Sequence, residues 1–480
     1  MPPRCLTVVS KFTQPLDKLP PRLAITPIAP AGQTLHAFNI TIRPPGSKSL
    51  TNRALLLAAL ARGTSIIRKP LTQADDARCM MAAITALGAS VESIEPSSGS
   101  SPEPDLRIVG VNGTWKQGAD LHLGNAGTAT RFLAAAALLS PFPIGIDGDQ
   151  RMRERPISEL VQALRQSGGE VEYVEGGKPG CPPIRIKSPQ ERIKSIRLDI
   201  PPTQSSQFIS ALLLLGPFLS GGVTLRLLGH ITSPSYIEMT LSLLEQLGAH
   251  LRTSEDLRVL RVGPMNPVDP HLPAFEYSTE ADASGATYFW AAAALVPGAR
   301  CAIDGVPIAS TQGDAGFAKL LEQVGSEVLT GGDRFTVRGN DDDIASLRID
   351  MARMPDAVMT LAAVASFAKT PSIIRGVRTL RVKETDRIAA LTKELAKVGV
   401  FVESPIDGDM AVMKITPPPQ GIDCSRNVPV VEFDTYNDHR MAMALSLIGL
   451  RRPNVWINDP ACVAKTYPTF WMDWAKLYQA

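Results

Sequence analysis

The chain has 480 residues, 44% hydrophobic and 20% charged, a balance that excludes a disordered protein and a length that exceeds one ordinary core, so two domains are expected. Its 49 basic and 47 acidic residues leave a formal charge of +2, which excludes a global field drawing it to nucleic acid or membrane and makes any anion selectivity local. The six cysteines, Cys5, Cys79, Cys181, Cys301, Cys424 and Cys462, form no C-x-x-C pair and no metal-ligand spacing with histidine, a pattern that fits a reduced cytoplasmic protein.

In chain order, the first forty residues contain several prolines but no compact apolar signal core. Residues 1–25 read as a tail, with a cleaved transit segment as the alternative. An unpaired β-like segment, Leu35 to Ile42, comes next. The longest apolar stretches, such as Phe208 to Leu219, are interrupted well short of the ~20 residues that a spanning helix needs.

From there one pattern recurs: an amphipathic helix ending in Gly, then a short β-like run. It appears as MAAITALGASVESI, LVQALRQSGGEVEYV, LSLLEQLGAHLRT, LLEQVGSEVLT and LTKELAKVGVFVES, with Gly88, Gly168, Gly248, Gly325 and Gly399 spaced 80, 80, 77 and 74 residues apart. A second unit interleaves with it, an Ala/Leu-rich helix opened by polar residues and followed by a strand. Its six copies are NRALLLAALARGTSIIRKP, TRFLAAAALLSPFPIGIDG, SQFISALLLLGPFLSGGVTLRLLG, ATYFWAAAALVPGARCAIDG, AVMTLAAVASFAKTPSIIRG and HRMAMALSLIGLRRPNVWIND. These helices are apolar nearly all round, which predicts burial. Six copies divide into two domains of three. The last copy lacks a Gly-terminated helix and the first follows a spare strand, so the terminal half-units are assigned to one domain. The expected division is residues 1–47 with 278–480, and 48–277.

The starts of the buried helices carry the polar groups. PPGSKSLTNR places Lys48, Ser49, Asn52 and Arg53 beside free backbone N–H groups, and LGNAGTATR places Gly124, Gly127 and Arg131 there. The other four open with TQSSQF, EADASGAT, MARMPDAVMT and NDHRMAM. Ordinary capping accounts for Ser, Asn, Asp and Thr at such positions. It does not account for Lys48, Arg53, Arg131 and Arg440, which oppose the helix dipole unless an anion is bound. Two stretches are dense in paired charge: DGDQRMRERP, with Arg151, Arg153, Glu154 and Arg155, and TLRVKETDR, with Arg381, Lys383, Glu384, Asp386 and Arg387. Solvated ion pairs are the plain alternative for either. Asp356 opens an apolar helix and is expected to be partly buried. No G-x-S-x-G nucleophile is present, and PGSKS lacks the spacing of a nucleotide-binding P-loop.

Taken together, PGSKSLTNR, LGNAGTATR, DGDQRMRERP, SSQF, SPSYIEMTL, EADASGATYF, MPDAVMTLA, RVKETDR, NDHRMAMA and the closing AKTYP resemble the 5-enolpyruvylshikimate-3-phosphate synthase family, from about Arg43 to Tyr467. The resemblance implies an α/β fold of two domains, each of three βαβαββ repeats with buried parallel helices, an inside-out α/β barrel with the active site in the interdomain cleft. It implies transfer of the enolpyruvyl group of phosphoenolpyruvate to the 5-hydroxyl of shikimate 3-phosphate by addition and elimination, with release of phosphate, a step in aromatic amino acid biosynthesis. Neither cofactor nor metal is implied, the partners are the two substrates, and a cytoplasmic monomer is expected.

Carried over motif by motif, Lys48, Ser49, Arg53, Ser205, Ser206, Gln207, Ser233, Asp356 and Lys383 are expected to hold shikimate 3-phosphate. Lys48, Gly127, Arg131, Arg151, Gln207, Arg387, Arg440 and Lys465 are expected around phosphoenolpyruvate. Asp356 is implied as the base for the 5-hydroxyl, and Glu384 with Lys48 as the groups that protonate the methylene carbon. Two positions depart from the family pattern. Phe132 stands where Pro is common, which puts in doubt the set of the helix near Gly127. Thr379 stands where Asn is common, which weakens a sugar-phosphate contact there. The related transferase acting on UDP-N-acetylglucosamine and a non-catalytic repeat protein are the competing readings. The first is expected to carry a reactive Cys or Asp in the loop that here reads DGDQRMRERP, and the second to lack Asp356, Glu384 and Lys48.

Overall fold

A computed structural model describes residues 9–28, 37–96, 103–340 and 343–479. The chain forms two compact units, Met1–Pro45 with Ala281–Ala480, and Gly46–Glu280. The repeat is clearest between residues 196 and 263. Strand Ile196–Ile200 leads into helix Ser206–Leu213, and the chain returns as Val223–Leu227, parallel to the first strand. Helix Pro234–Gln246 follows, and the hairpin of His250–Thr253 and Val259–Gly263 closes the sheet antiparallel. Residues 120–187 and 348–416 repeat this plan, so the fold is mixed α/β. Among the described residues it comprises five four-stranded sheets and one of three strands.

Burial follows composition. In the Gly46–Glu280 unit, helix Gly127–Ala136 packs against both Lys48–Leu60 and Ser206–Leu213. In the other, Val358–Ala365 packs against both Ala283–Leu295 and His439–Ser446. Every residue of Ala283–Leu295 is buried, as the absence of a polar face predicts. Alanine on facing surfaces lets the helices approach closely, and each buried leucine stabilises its unit by roughly 1.5–3 kcal/mol. The sheets shield this helical layer. In Val223–Leu227, for example, Val223, Leu225 and Leu227 are buried while Arg226 is exposed.

The repeat glycines end their helices as expected. Gly88, Gly168, Gly248, Gly325 and Gly399 all take positive φ, between 81° and 104°, the left-handed turn that closes a helix C-terminus. The fourth copy departs from the others. Instead of a long amphipathic helix it has a four-residue α turn, Phe317–Leu320, flanked by 3-10 turns Gly313–Gly316 and Leu321–Val324, because Gly313 and Gly316 weaken helix propagation.

Two strands do not stay with the helices that follow them. Asn39–Ile42 precedes helix Lys48–Leu60 but pairs with Arg300–Ile303, in parallel. Glu276–Ser278 precedes helix Ala283–Leu295 but pairs with Thr64–Arg68. Each unit's first repeat therefore takes its opening strand from across a chain crossing. Of the β-like segment expected over Leu35 to Ile42, residues 35 and 36 lie outside the described residues.

The tail expected over residues 1–25 needs correction. Residues 9–12 are helical and Phe12 is fully buried. Arg22–Ile25 pairs antiparallel with Val455–Asn458 and inserts Leu23 and Ile25 into the core. The reason is complementarity: the final repeat has only the parallel pair Val431–Phe433 and Val455–Asn458, and this N-terminal strand fills its open edge. Among the described residues, no helix is long and apolar enough to cross a membrane.

Candidate active site

In the Ala281–Ala480 unit the predicted residues gather around one carboxylate. Asp356 lies in the 3-10 turn Pro355–Ala357, fixed by Pro355 ahead of the buried helix Val358–Ala365. Its Oδ1 accepts from Lys383 Nζ at 3.2 Å and Arg387 Nη1 at 3.2 Å, and its Oδ2 from Arg440 Nη2 at 3.0 Å. Arg387 reaches further, donating from Nη2 to Glu384 Oε2 at 2.8 Å and from Nε to Asp438 Oδ2 at 2.8 Å. Asp356, Glu384, Arg387 and Arg440 are all buried, with Arg387 only 1% exposed. Burial pushes the Lys383 ammonium below its ordinary value, with Asp356 opposing. Arg387 is held above its ordinary value because Asp438, Glu384 and Asp356 outweigh its desolvation.

Local sequence explains the placement. Asp386 caps helix Arg387–Ala396 by accepting from Ile388 and Ala389 N–H, so Arg387 starts the helix with its side chain turned inward. Asp438 caps helix His439–Ser446 by accepting from Arg440 N–H at 2.9 Å, which brings Arg440 to the same place. Glu394, at the far end of the first helix, accepts from Asp434 N–H at 2.9 Å and Tyr436 Oη at 2.6 Å, and so holds the loop that carries Asp438. Lys465 is buried at the end of the 3-10 helix Pro460–Lys465, which packs against His439–Ser446. Thr379, the departure from the family pattern, has a buried Oγ1 with no hydrogen-bond partner among the described residues.

The Gly46–Glu280 unit supplies a second set. Lys48 opens helix Lys48–Leu60, and its Nζ lies 3.3 Å from Asp76 Oδ2. Ser49 is next, half-buried. Arg53 is turned into the helix layer, where its donors go to Thr240 Oγ1 (2.8 Å), Ser49 O (2.8 Å), Ser210 Oγ (3.3 Å) and Tyr236 O (3.0 Å). Burial lowers its pKa to about 10. Phe132 lies beneath it, 5.2 Å from the guanidinium carbon, so the departure from the family proline gives Arg53 a cation–π partner within an unbroken helix. Ser205 caps helix Ser206–Leu213 through Gln207 N–H at 3.2 Å, and Gln207 Nε2 donates to Thr128 Oγ1 at 3.2 Å. Ser206 is buried, and Ser233 is held at φ 47° and ψ 62°, a strained left-handed backbone ahead of Pro234.

Around Gly127 two arginines gather. Arg131 donates to Gly127 O (3.4 Å), Met152 Sδ (3.1 Å) and Pro156 O (3.0 Å), which ties this helix start to the DGDQRMRERP loop. Within that loop Arg155 lies against Gly127. A Cβ added at Gly127 would lie 2.7 Å from Arg155 Nη2. Arg155 is 5% exposed, donates to Asn125 Oδ1 at 2.7 Å, and keeps a buried Nε with no partner among the described residues. Arg151 instead pairs with Glu154 at 3.2 Å with a third of its side chain exposed. Arg151, Arg153 and Arg155 are equivalent by composition; the one sequence signal was Pro156, which restricts Arg155 to the extended backbone observed, φ −89° and ψ 124°.

Capping divides the helix starts. Ser205, Asp282 and Asp438 cap their helices with side-chain oxygens. Ser47 and Ala126 provide no side-chain cap, so the N–H groups beside Lys48 and Gly127 are left for another acceptor.

Comparison with known proteins follows this geometry. The family profile for EPSP synthase (3-phosphoshikimate 1-carboxyvinyltransferase) matches residues 33–474. The chain is 40% identical over 443 residues to the 3-phosphoshikimate 1-carboxyvinyltransferase of Ralstonia pickettii, covering 90% of this chain and 95% of that one. It is 40% identical over 455 residues to the enzyme of the same name from Actinobacillus pleuropneumoniae, covering 94% and 98%. Among solved structures, EPSP synthase from Acinetobacter baumannii superimposes with a TM-score of 0.71 at 24% identity, over 94% of this chain and 96% of that one. The enolpyruvyl transferase NikO from Streptomyces tendae gives 0.70 at 17% identity over the same shares. The class is therefore an α/β enzyme of the enolpyruvyl transferase fold. The chain belongs to the EPSP synthase family, and its reaction is the transfer of the enolpyruvyl group from phosphoenolpyruvate to shikimate 3-phosphate.

Proposed function

We propose that the residues grouped around Asp356 and those around Lys48 and Gly127 serve this one reaction, addition at the 5-hydroxyl of shikimate 3-phosphate followed by elimination of phosphate. The observation that carries the reading is Asp356 itself, a buried carboxylate clasped by Lys383, Arg387 and Arg440. Asp356 takes the proton of the 5-hydroxyl as its oxygen bonds to the phosphate-bearing carbon of phosphoenolpyruvate. Glu384 with Lys48 delivers a proton to the methylene carbon, giving a tetrahedral adduct. Loss of a proton from the new methyl group then re-forms the double bond as the carbon–phosphate oxygen bond breaks.

Arg155, Gly127 and Lys48 hold phosphoenolpyruvate, together with Gln207, Arg387, Arg440 and Lys465. Arg155 is preferred to Arg151, which pairs with Glu154 and is a third exposed. Ser49, Ser205, Ser206, Gln207, Ser233 and Lys383 hold shikimate 3-phosphate. Arg53 and Arg131 also fix the helix starts that carry Ser49 and Gly127, since several of their donors bond neighbours there. The enzyme works as a cytoplasmic monomer.

The test is phosphate release from phosphoenolpyruvate by Asp356→Ala with shikimate 3-phosphate as acceptor. Turnover falls by ~100-fold or more, the scale of a positioned acid or base, while shikimate 3-phosphate still binds. Near-normal turnover would remove Asp356 from the mechanism.

A further inference from the structure

A second buried carboxyl stands beside Asp356. Asp314 lies in the turn Gly313–Gly316, is 4% exposed, and accepts a hydrogen bond from Ser284 Oγ in the first turn of helix Ala283–Leu295. The preceding residue but one anchors this turn: Gln312 donates from Nε2 to Ala281 O at 2.8 Å and accepts from Ala283 N–H at 3.1 Å. The turn packs against helix Ala283–Leu295, against the turn Pro355–Ala357 that carries Asp356, and against Phe317–Leu320. The charged groups on these elements are Asp282 and Asp356, with Lys319 exposed and lying over the Phe335 ring; Arg440 acts on Asp314 from helix His439–Ser446. Arg440 is already committed to Asp356 Oδ2. Among the described residues Asp314 forms no ion pair of its own, and an unpaired buried carboxylate is costly.

We propose that Asp314 is a positioning residue for Asp356: neutral and anchored by Ser284, it leaves Arg440 on Asp356, and its ionisation draws Arg440 away and lowers turnover. The two carboxyls thus hold different charge at working pH, the arrangement by which neighbouring acids divide roles. Burial, then the Asp356 charge, raises the Asp314 pKa to about 7, with Arg440 and the Ser284 hydroxyl opposing. This rests on the reading of Asp356 as the base.

The experiment is kcat/KM for shikimate 3-phosphate measured across pH, which reports ionisations of the free enzyme. The native chain shows a falling limb near pH 7, where Asp314 titrates. Asp314→Asn, which keeps the size and accepts the Ser284 hydrogen bond without ionising, loses that limb and stays within ~3-fold of native turnover on the acid side. Ser284→Ala moves the limb to higher pH, because the hydroxyl favours the carboxylate, and it serves if the first variant does not fold. A limb unchanged in these variants would overturn the proposal. So would an Asp314→Asn enzyme as impaired at all pH values as Asp356→Ala. If instead Asp356→Ala keeps near-normal turnover, the reading of the base fails and not the titration of Asp314.

Discussion

Arg387 and Asp438 meet through two hydrogen bonds, Nε to Oδ2 at 2.8 Å and Nη2 to Oδ1 at 3.2 Å, with both side chains buried. Asp438 Oδ1 also caps helix His439–Ser446 through Arg440 N–H. One carboxylate therefore fixes two of the cations that clasp Asp356. Asp438→Ala is expected to destabilise the enzyme by about 3 kcal/mol, the low end for breaking a buried pair, because Arg387 keeps Asp356 and Glu384. Asp438→Asn restores the cap and recovers about 1 kcal/mol of that. Urea denaturation of both variants measures the difference, and equal midpoints would show that the cap contributes nothing.

The proposed assignment predicts different effects at Arg155 and Arg151. Losing a charge-assisted hydrogen bond to a bound anion costs about 1.5–3 kcal/mol, so Arg155→Gln is expected to lower kcat/KM for phosphoenolpyruvate by ~10- to 100-fold. Arg151→Gln, at an exposed pair, changes it by less than ~5-fold. Gly127→Ala follows the Arg155 pattern, since the new methyl group would push against the guanidinium, which can swing aside at the end of a flexible chain. Its KM for phosphoenolpyruvate rises while its melting temperature hardly moves. Steady-state kinetics on the three variants decide it, and an Arg151 effect equal to that of Arg155 would refute the assignment.

The contrast between these arginines shows where sequence reading stops. The helix period and the terminal glycines are local signals, and Gly88 through Gly399 end their helices where the pattern places them. The motifs at helix starts carry the clasp around Asp356, because Asp386 and Asp438 are caps whose neighbours Arg387 and Arg440 must then turn inward. The strand exchange is legible only in outline: the spare strand before the first copy puts residues 1–47 with 278–480, but nothing in Asn39–Ile42 or Glu276–Ser278 names their partners, which lie far along the chain. Arg53 is expected at the site because it belongs to the PGSKSLTNR motif at a helix start. Its burial against Thr240 and Tyr236 depends on residues nearly two hundred positions away. Asp314 sat in no motif, and only its packing beside Asp356 distinguishes it.

Asp314 also gives stability a pH dependence of known sign. In the unfolded chain its carboxyl loses its proton near pH ~4, whereas in the fold it keeps it until about pH 7. Between those values the native state binds more protons, so this group's contribution falls as pH rises through the window and is lost above it. Asp314→Asn does not titrate. Relative to the native chain it therefore gains stability from pH ~4 to 7, by up to ~1.4 kcal/mol per pH unit, and the gain levels off above. Denaturant midpoints of both proteins at several pH values test this; a difference that does not change with pH would show that Asp314 is ionised throughout.

Phe12 tests whether the N-terminal stretch is part of the fold. Its ring stacks on Tyr478 with centroids 5.4 Å apart and on Trp471 at 6.0 Å, joining the aromatic cluster of helix Phe470–Ala475. Around it, Lys11 Nζ donates to Thr26 Oγ1 at 2.8 Å, Tyr478 Oη donates to Thr26 O at 2.7 Å, and Asp459 N–H donates to Pro21 O at 2.8 Å. These contacts hold strand Arg22–Ile25 against Val455–Asn458, the strand that leads through Asp459 into the turn carrying Lys465. Phe12→Ala should leave a cavity between two aromatic rings and cost about 3 kcal/mol, the lower end for a buried phenylalanine. Because Lys465 sits just beyond the supported strand, its KM for phosphoenolpyruvate should rise more than its kcat falls. A dispensable tail predicts neither effect, and an unfolding free energy within ~0.5 kcal/mol of native would restore that reading.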